Sequence, residues 1–284
     1  MRKTLFSGIA ACLLATAATA AEQSPSVIWT VGQADRSASE FALAPDRFRD
    51  FLANDFGYED KYFLVGHSVP AADFPYVLPG PADTWGGTWP TSGWRTHQVN
   101  ILFGLKEIPS DGTCTLVVDL LDYAKNFLPL VKVSVNTQDA KFQLDAPGLS
   151  VADQRKPNQM EKIVDTLSIT GNLAKATPRR LEIPIRPGVL KAGGNEVTIT
   201  VLEGSWILFD RVSLEGPAGT NVEQPQQLFI RNIEAAPYEL ADGKRRVQPL
   251  LVDLEWLEGA PALSVELDGK EILNQRIETG RYQL

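Results

Sequence analysis

Beyond the first twenty or so residues, a period of two governs where apolar side chains fall. Val131, Val133 and Val135 alternate with Lys132 and Ser134, and Val197, Ile199 and Val201 alternate with Thr198 and Thr200. Leu181, Ile183 and Ile185 follow the same rule. Successive side chains of a strand point to opposite faces, so each segment offers one face to a core and one to water. Segments 27–31, 61–66, 98–103, 114–121 and 206–214 are further strand candidates. Turn chemistry separates them at Asp111-Gly112, Gly193-Gly194-Asn195 and Asp268-Gly269. One helix is expected, from Pro45 to Asn54: Phe48, Phe51 and Leu52 share a face, Pro45 suits the first turn, and Gly57 lies just past the end. Many short strands with little helix predict an all-β chain, built as an antiparallel sandwich or jelly roll.

The amino terminus breaks this rhythm. Arg2 and Lys3 precede an apolar stretch over 5–17, and Ala18-Thr19-Ala20 closes it with small residues, the form of a cleaved secretory signal. The apolar run falls short of the ~20 residues that span a bilayer, and no later stretch is long and apolar enough. The chain is therefore expected to be periplasmic or secreted, with no membrane span. Its 27 Lys and Arg against 35 Asp and Glu give a net charge of −8, and the leader removes two of the cations. Such an acidic surface repels phosphate backbones, which argues against nucleic acid as a partner. Cys12 lies in the leader, so Cys114 has no intramolecular partner and is read as a small buried hydrophobe. His67 and His97 are the only imidazoles, too few for a Cys/His zinc site or a three-His site. No metal or other cofactor is expected. A structural calcium, as some exported β-sandwiches carry, has no EF-hand-like spacing behind it.

A boundary falls over 216–226, where Gly-Pro-Ala-Gly and Gln-Pro-Gln-Gln interrupt the alternation. Beyond it lie strand candidates 228–233, 250–256, 263–267 and 272–277, the last two joined over Asp268-Gly269. Four strands fall short of the roughly seven of an immunoglobulin-like module. The expected organisation is a signal over 1–20, a jelly-roll domain over 21–217, a linker over 218–226 and a partial immunoglobulin-like β-module over 227–284.

One segment has no strand rhythm. Residues 68–95 contain five prolines and four glycines, yet also Phe74, Tyr76, Trp85, Trp89 and Trp94. Disordered chains lack such aromatics, and long loops in compact domains are usually functional. No GxSxG elbow, phosphate loop, HExxH or CxxC occurs in the chain. His67-Ser68 are neighbours in sequence, but a nucleophile and its base meet by folding. Two carboxylates across a cleft would suffice for a glycosidase; Asp73 and Asp83 flank the aromatic loop and Asp119 and Asp122 end a strand, and each is read as a solvated surface group. The loop can, however, bind. An indole face packs on the axial C–H face of a sugar, and planar donors and acceptors at its rim meet the hydroxyls. Tyr76, Asp83, Trp85, Trp89, Trp94, Arg95 and His97 are the candidate carbohydrate-binding residues. Against this stands the alternative that the indoles pin the loop to the sandwich. Trp29 and Trp206 lie on periodic strands and are expected in the core, and Trp256 is read as packing.

The residues also resemble a known family. Ile28-Trp29-Thr30-Val31-Gly32 with Asp35, then Glu40-Phe41-Ala42-Leu43-Ala44-Pro45, opens like the jelly-roll third domain of family 4 rhamnogalacturonan lyases. Phe74-Pro75-Tyr76-Val77-Leu78-Pro79-Gly80-Pro81-Ala82-Asp83 is the most specific match. Gly194-Asn195-Glu196-Val197-Thr198-Ile199-Thr200 and Gly204-Ser205-Trp206-Ile207-Leu208-Phe209-Asp210 complete it. Trp85-Gly86-Gly87-Thr88-Trp89 and Gly93-Trp94-Arg95-Thr96-His97 resemble modules that precede the catalytic domain in family 92 α-mannosidases. There, Gln248-Pro249-Leu250-Leu251-Val252 and Gly280-Arg281-Tyr282 would belong to a linking β-module. The resemblance implies a carbohydrate-binding-like accessory module whose partners are a polysaccharide or oligosaccharide and a catalytic glycosidase or lyase domain. In both families the catalytic residues lie in other domains, so none is carried over to this chain. Two other readings stand beside it: a spacer that docks a catalytic domain, and a lyase or glycosidase in its own right.

Overall fold

The computed structural model describes residues 26–58, 60–87, 97–108, 113–145, 167–259, 262–276 and 278–283. The leader with Cys12 and the Asp111-Gly112 turn lie outside them. Among the described residues the first unit contains β1 (Ser26–Gly32), β2 (Tyr62–Leu64), β3 (Val77–Leu78), β4 (Gln98–Leu105), β5 (Cys114–Tyr123) and β6 (Leu130–Val135). It continues with β7 (Gln138–Gln143), β8 (Arg179–Ile185), β9 (Gly193–Glu203), β10 (Ile207–Gly216) and β11 (Val222–Glu223). Two sheets result. One runs β8-β5-β10-β1 with β3 added to β10; the other runs β7-β6-β9-β4-β11 with β2 lying parallel to β4. The fold is an all-β sandwich.

The alternation does what it should. In the first sheet Leu116 pairs with Leu214 and Val118 with Val212, and all four point inward and are buried. From the second sheet Val99, Ile101, Phe103, Val131, Val133, Val197 and Ile199 meet them in one continuous core. Trp29 and Phe103 join the two layers, ring centroids 5.2 Å apart. Trp206 is buried in the same core, and so is Cys114, whose thiol burial pushes up.

Strand β4 departs from this rule. From Val99 to Leu105 every residue is buried, including those facing away from the sandwich core. On that outward side Leu102 and Leu64 form a separate apolar cluster with Phe229, flanked by Tyr62 and Leu257. Phe229 belongs to the carboxy-terminal unit, which consists of β12 (Leu228–Ala235), β13 (Leu240–Asp242), β14 (Arg245–Val247), β15 (Leu250–Trp256), β16 (Ala262–Leu267), β17 (Lys270–Arg276) and β18 (Gly280–Gln283). The four strands expected appear as β12, β15, β16 and β17, and among the described residues β13, β14 and β18 add to them. They form a β12-β15-β18 sheet and two hairpins, β13-β14 and β16-β17, over a small core of Leu254, Trp256 and Leu263.

The second unit is seated by three devices. The apolar cluster on Leu102 is the first. The second is a buried ion pair in which Arg231 Nε lies 2.9 Å from Glu255 Oε1, without the alignment of a hydrogen bond. Tyr62 of the sandwich bonds to Glu255, and its ring lies 5.4 Å from the Arg231 guanidinium carbon. Burial pushes the Glu255 carboxyl above the usual carboxylate range. The third is Gly194 at the start of β9, where a Cβ would collide with the carbonyl oxygens of Ile230 and Arg231. Within the segment read as a linker, Val222 pairs with Leu105 and Glu223 with Gly104, so part of it is sheet.

The helix expected between Pro45 and Asn54 does not form. Two 3-10 turns, Phe48–Asp50 and Leu52–Asn54, take its place. Their bonds close three residues back, as from Phe51 N–H to Phe48 O at 3.2 Å and from Asp55 N–H to Leu52 O at 3.1 Å. Asp55 then stops the run in the left-handed region at φ 58°. The expected buried face, Phe48 and Phe51, is nevertheless the one that packs inward.

Asp210 on β10 accepts the Arg36 N–H at 3.0 Å. Burial, then repulsion from Asp35, Asp119 and Glu40, outweighs that bond and pushes its carboxyl up to about 6. The folded chain therefore holds this proton more tightly than the unfolded one, whose Asp titrates near ~4. Stability contributed here falls as pH rises from ~4 to ~6. Screening of the carboxyl limits the effect to about 1 kcal/mol. Asp210→Asn is expected to melt about 2–4 °C above the wild type at pH 7, with the gap closing towards pH 4. Thermal melts across that range check it, and a gap independent of pH would contradict the assignment.

Candidate functional site

The proline- and tryptophan-rich segment is built onto the sandwich from its base upward. Residues Pro70–Asp73 form one helical turn, in which Asp73 Oδ2 accepts the Val69 N–H at 2.8 Å. Phe74 then enters the core, its ring 5.0 Å from Phe209, 5.3 Å from Phe41 and 6.0 Å from Phe63. Tyr76 follows, almost wholly buried: its hydroxyl donates to Ile169 O at 2.6 Å, and burial raises the phenol well above its ordinary range. Strand β3 next pairs with the start of β10, Val77 against Leu208 and Leu78 against Ile207.

At the turn that follows, Asp83 is the organising group. Its Oδ2 accepts the Gly80 N–H at 2.8 Å and its Oδ1 accepts the Ser205 hydroxyl at 2.5 Å. The Ala82 N–H donates to Gly204 O at 2.9 Å, so the whole turn is tied to the β9–β10 connection. Trp85 lies in the 3-10 turn Thr84–Gly86 and is half-buried. It sits edge-on to Phe48, centroids 5.0 Å apart, and to Phe51 at 6.2 Å. His97 is buried, edge-on to Phe51 at 5.6 Å. Its Nε2 contacts the Gly86 carbonyl and must carry the proton there, since a carbonyl only accepts. Gly57, at φ +91°, leaves the room this imidazole needs: a Cβ would fall on the ring.

Of the seven candidate residues, the structure brings three together at this base: Asp83 and Trp85 in one turn, and His97 against Gly86 beside them. Asp83 and His97 are buried and Trp85 is half-buried, while Tyr76 is buried apart from them against Ile169. Trp89, Trp94 and Arg95 lie outside the described residues. Trp256 is packed in the second unit, its Nε1 donating to Glu258 O at 2.5 Å.

Two of the carboxylates read as surface groups prove to be interior. Asp83 is one. Asp122, the other, is fully buried and receives Lys125 Nζ at 2.8 Å, the Ser168 hydroxyl at 2.7 Å and the Thr177 N–H at 3.0 Å. Lys125 also lies over the Tyr123 ring at 3.1 Å. A buried charge must be paired; Lys125 is three residues on, whereas Ser168 and Thr177 lie 46 and 55 residues away and leave no local trace in the sequence. Asp119 joins Arg211 and Arg180 at 2.9 and 3.3 Å. Ser68 Oγ accepts the Leu64 N–H at 2.9 Å, which makes it a turn residue beside an exposed His67. Among the described residues no group of three or more His, Cys, Asp or Glu is placed to hold a metal ion. No helix among them is long and apolar enough to cross a membrane.

Sequence reasoning named Asp83 but missed Ser205 and Phe51, which hold the base from a distance. Replacing Asp83 with Ala leaves two donors, on Gly80 and Ser205, without their acceptor. The loss is expected to be about 2 kcal/mol, or roughly 5 °C in Tm, with Asp83→Asn milder. Thermal unfolding followed by tryptophan fluorescence measures it; an unchanged Tm would show that the turn holds without this carboxylate.

Of the comparisons with known proteins, the family model is the one that bears on this chain. No curated protein matches the sequence. One solved structure, described as a novel family GH115 4-O-methyl-α-glucuronidase with specificity for decorated arabinogalactans, aligns at 15% identity over 43% of this chain and 14% of that one. Its TM-score is 0.23, too low for a shared fold. The family described as CBM-like, polysaccharide lyase family 4, domain III, matches residues 27–214, from β1 through most of β10. The chain belongs to this family of carbohydrate-binding-module-like third domains.

Proposed function

We propose that the chain is an exported carbohydrate-binding accessory module of a polysaccharide-degrading system, holding plant or yeast-type glycans at the tryptophan loop. Membership in the CBM-like family over residues 27–214 is the observation that carries this reading. The site chemistry supports it. Asp83, Ser205 and His97 fix the base from which the loop departs, and a fixed base lowers the ordering cost of binding there. Trp85, Trp89 and Trp94 supply indole faces for the C–H faces of sugar rings, with Arg95 as a planar donor at the rim. Catalysis is assigned to a separate lyase or glycosidase domain, with which this module would act.

A second reading, a spacer that docks such a catalytic domain, has its own support. Of eleven large apolar side chains exposed among the described residues, seven lie beyond Gln227, among them Ile233, Tyr238, Leu240, Val247 and Leu250. Exposed apolar surface concentrated in one small unit marks interaction sites.

Fluorescence titration separates these readings. Soluble rhamnogalacturonan or mannan is expected to quench tryptophan emission, and Trp89→Ala to weaken binding about fivefold to tenfold, as the loss of one aromatic contact would. The pure protein should release no product from either polymer. If no glycan quenches the emission while a glycosidase or lyase domain co-purifies, the spacer reading replaces the first. Turnover of either polymer would make the chain an enzyme.

A further inference from the structure

Between the two units lies a cleft of about 940 Å³, walled by the start of β9, the segment from Glu223 to Gln227, and β12. A second cavity of about 270 Å³ shares Lys191, Gly194, Phe229, Arg231 and Asn232 with it, and reaches the outer face of the sandwich at Ser134, Glu196 and Thr198. A space between units is a binding site only if the units are held in place. Here they are, by the Leu102 cluster, the Tyr62–Glu255–Arg231 contact and the close approach at Gly194.

The cleft is of a size that takes ligands, and unit interfaces are where such sites concentrate. Its chemistry is selective. Gln224, Gln226, Gln227 and Asn232 line its walls; an amide can both donate and accept, and the Asn232 oxygen already accepts Lys191 Nζ at 2.8 Å. Ile230 and Ile233, both exposed, contribute apolar surface beside them. Arg231 lines both cavities, and its Nη2 is buried without a hydrogen-bond acceptor. Such a donor is costly to leave unmet and calls for a partner.

We infer that this cleft is a second carbohydrate site, one that takes a short stretch of neutral glycan; the inference rests on the chain being a glycan-binding module. Amides that donate and accept match vicinal hydroxyls, and Arg231 Nη2 donates to a ring or hydroxyl oxygen. The apolar walls take the C–H faces. Neutral sugar is favoured over uronate because the two cations on the cleft walls, Lys191 and Arg231, are offset by Glu223 beside them and by Glu255, the buried ion-pair partner of Arg231. Bound there, a glycan would touch both units at once, and the tryptophan loop would remain free for another stretch of the same chain.

Isothermal titration of the full chain with mannohexaose, cellohexaose, galactohexaose and hexagalacturonate tests the assignment. Three variants are compared: Trp85→Ala/Trp89→Ala/Trp94→Ala for the loop, Gln227→Ala/Asn232→Ala for the cleft walls, and Ala192→Trp to fill the cleft from an exposed position on its rim. Matching Tm values would show that each is folded, and Ala192→Trp alone suffices if the wall variant is not. Binding of a neutral hexasaccharide that survives in the loop variant and falls at least tenfold in Ala192→Trp supports the site. Loss of all binding in the loop variant, with Ala192→Trp matching the wild type, overturns it and leaves the loop reading intact. Retention of hexagalacturonate alone in the loop variant also overturns it. No binding by the wild type to any of the four overturns both readings.

Discussion

Strand β4 is buried on both faces, and much of the molecule answers to that demand. A sandwich strand normally gives one face to water, yet Leu102 and Gly104 on the outward side of β4 are as buried as Ile101 and Phe103 on the inward side. A two-layer fold cannot meet this requirement by itself. Phe229 and Leu257 meet it from the carboxy-terminal unit, and Glu223 from the segment that leads there. The small unit, with only three buried residues in its own principal core, gains in return a surface to rest on. Burial of Leu102 and Phe229, each worth ~1.5–3 kcal/mol, explains why a module too thin to be independent is ordered against the sandwich.

The same economy of layers explains the loop. Residues 68–87 have no ladder of their own beyond the two pairs of β3, so their backbone groups are met one at a time by Ala42, Phe209, Gly204 and Asp83. The bonds with Ala42, Phe209 and Gly204 reach across the fold, and that between Gly80 and Asp83 closes the turn locally. A loop fixed in this way is rigid at its base without being regular, the condition under which a scaffold can carry recognition residues. The buried members of the candidate set, Tyr76, Asp83 and His97, belong to this support. Recognition, in the reading proposed, belongs to the indoles.

How much of this could be read from the chain differs by element. Alternation located β6, β8 and β9 because each has one wet face and one dry one, and Asp268-Gly269 located the β16-β17 hairpin. It missed β7, where Gln138 and Lys141 carry no apolar rhythm and pairing with β6 supplies the structure. It also missed β13, β14 and β18, which are short and exposed or paired only through long-range contact. The helix expected after Pro45 failed because an apolar face at Phe48 and Phe51 is compatible with two 3-10 turns as well as with an α-helix. The density of tryptophan singled out one loop, whose base over 68–87 is tied to the sandwich. The partners that hold it, Ser205 above all, lie 122 residues away and leave no mark on its local sequence. The cleft between units was not legible at all, since no periodicity records where one module rests upon another.

These observations describe a CBM-like sandwich with a loop base fixed at Asp83 at one place and a polar cleft at another, and a second unit that carries exposed apolar residues. Glycan recognition is the reading that joins them. Native electrophoresis of the intact chain through gels containing rhamnogalacturonan, galactan or mannan tests it most directly. Retarded migration in at least one gel, reversed by the free oligosaccharide, is the predicted result; identical mobility in all of them and in a gel without polysaccharide would contradict it.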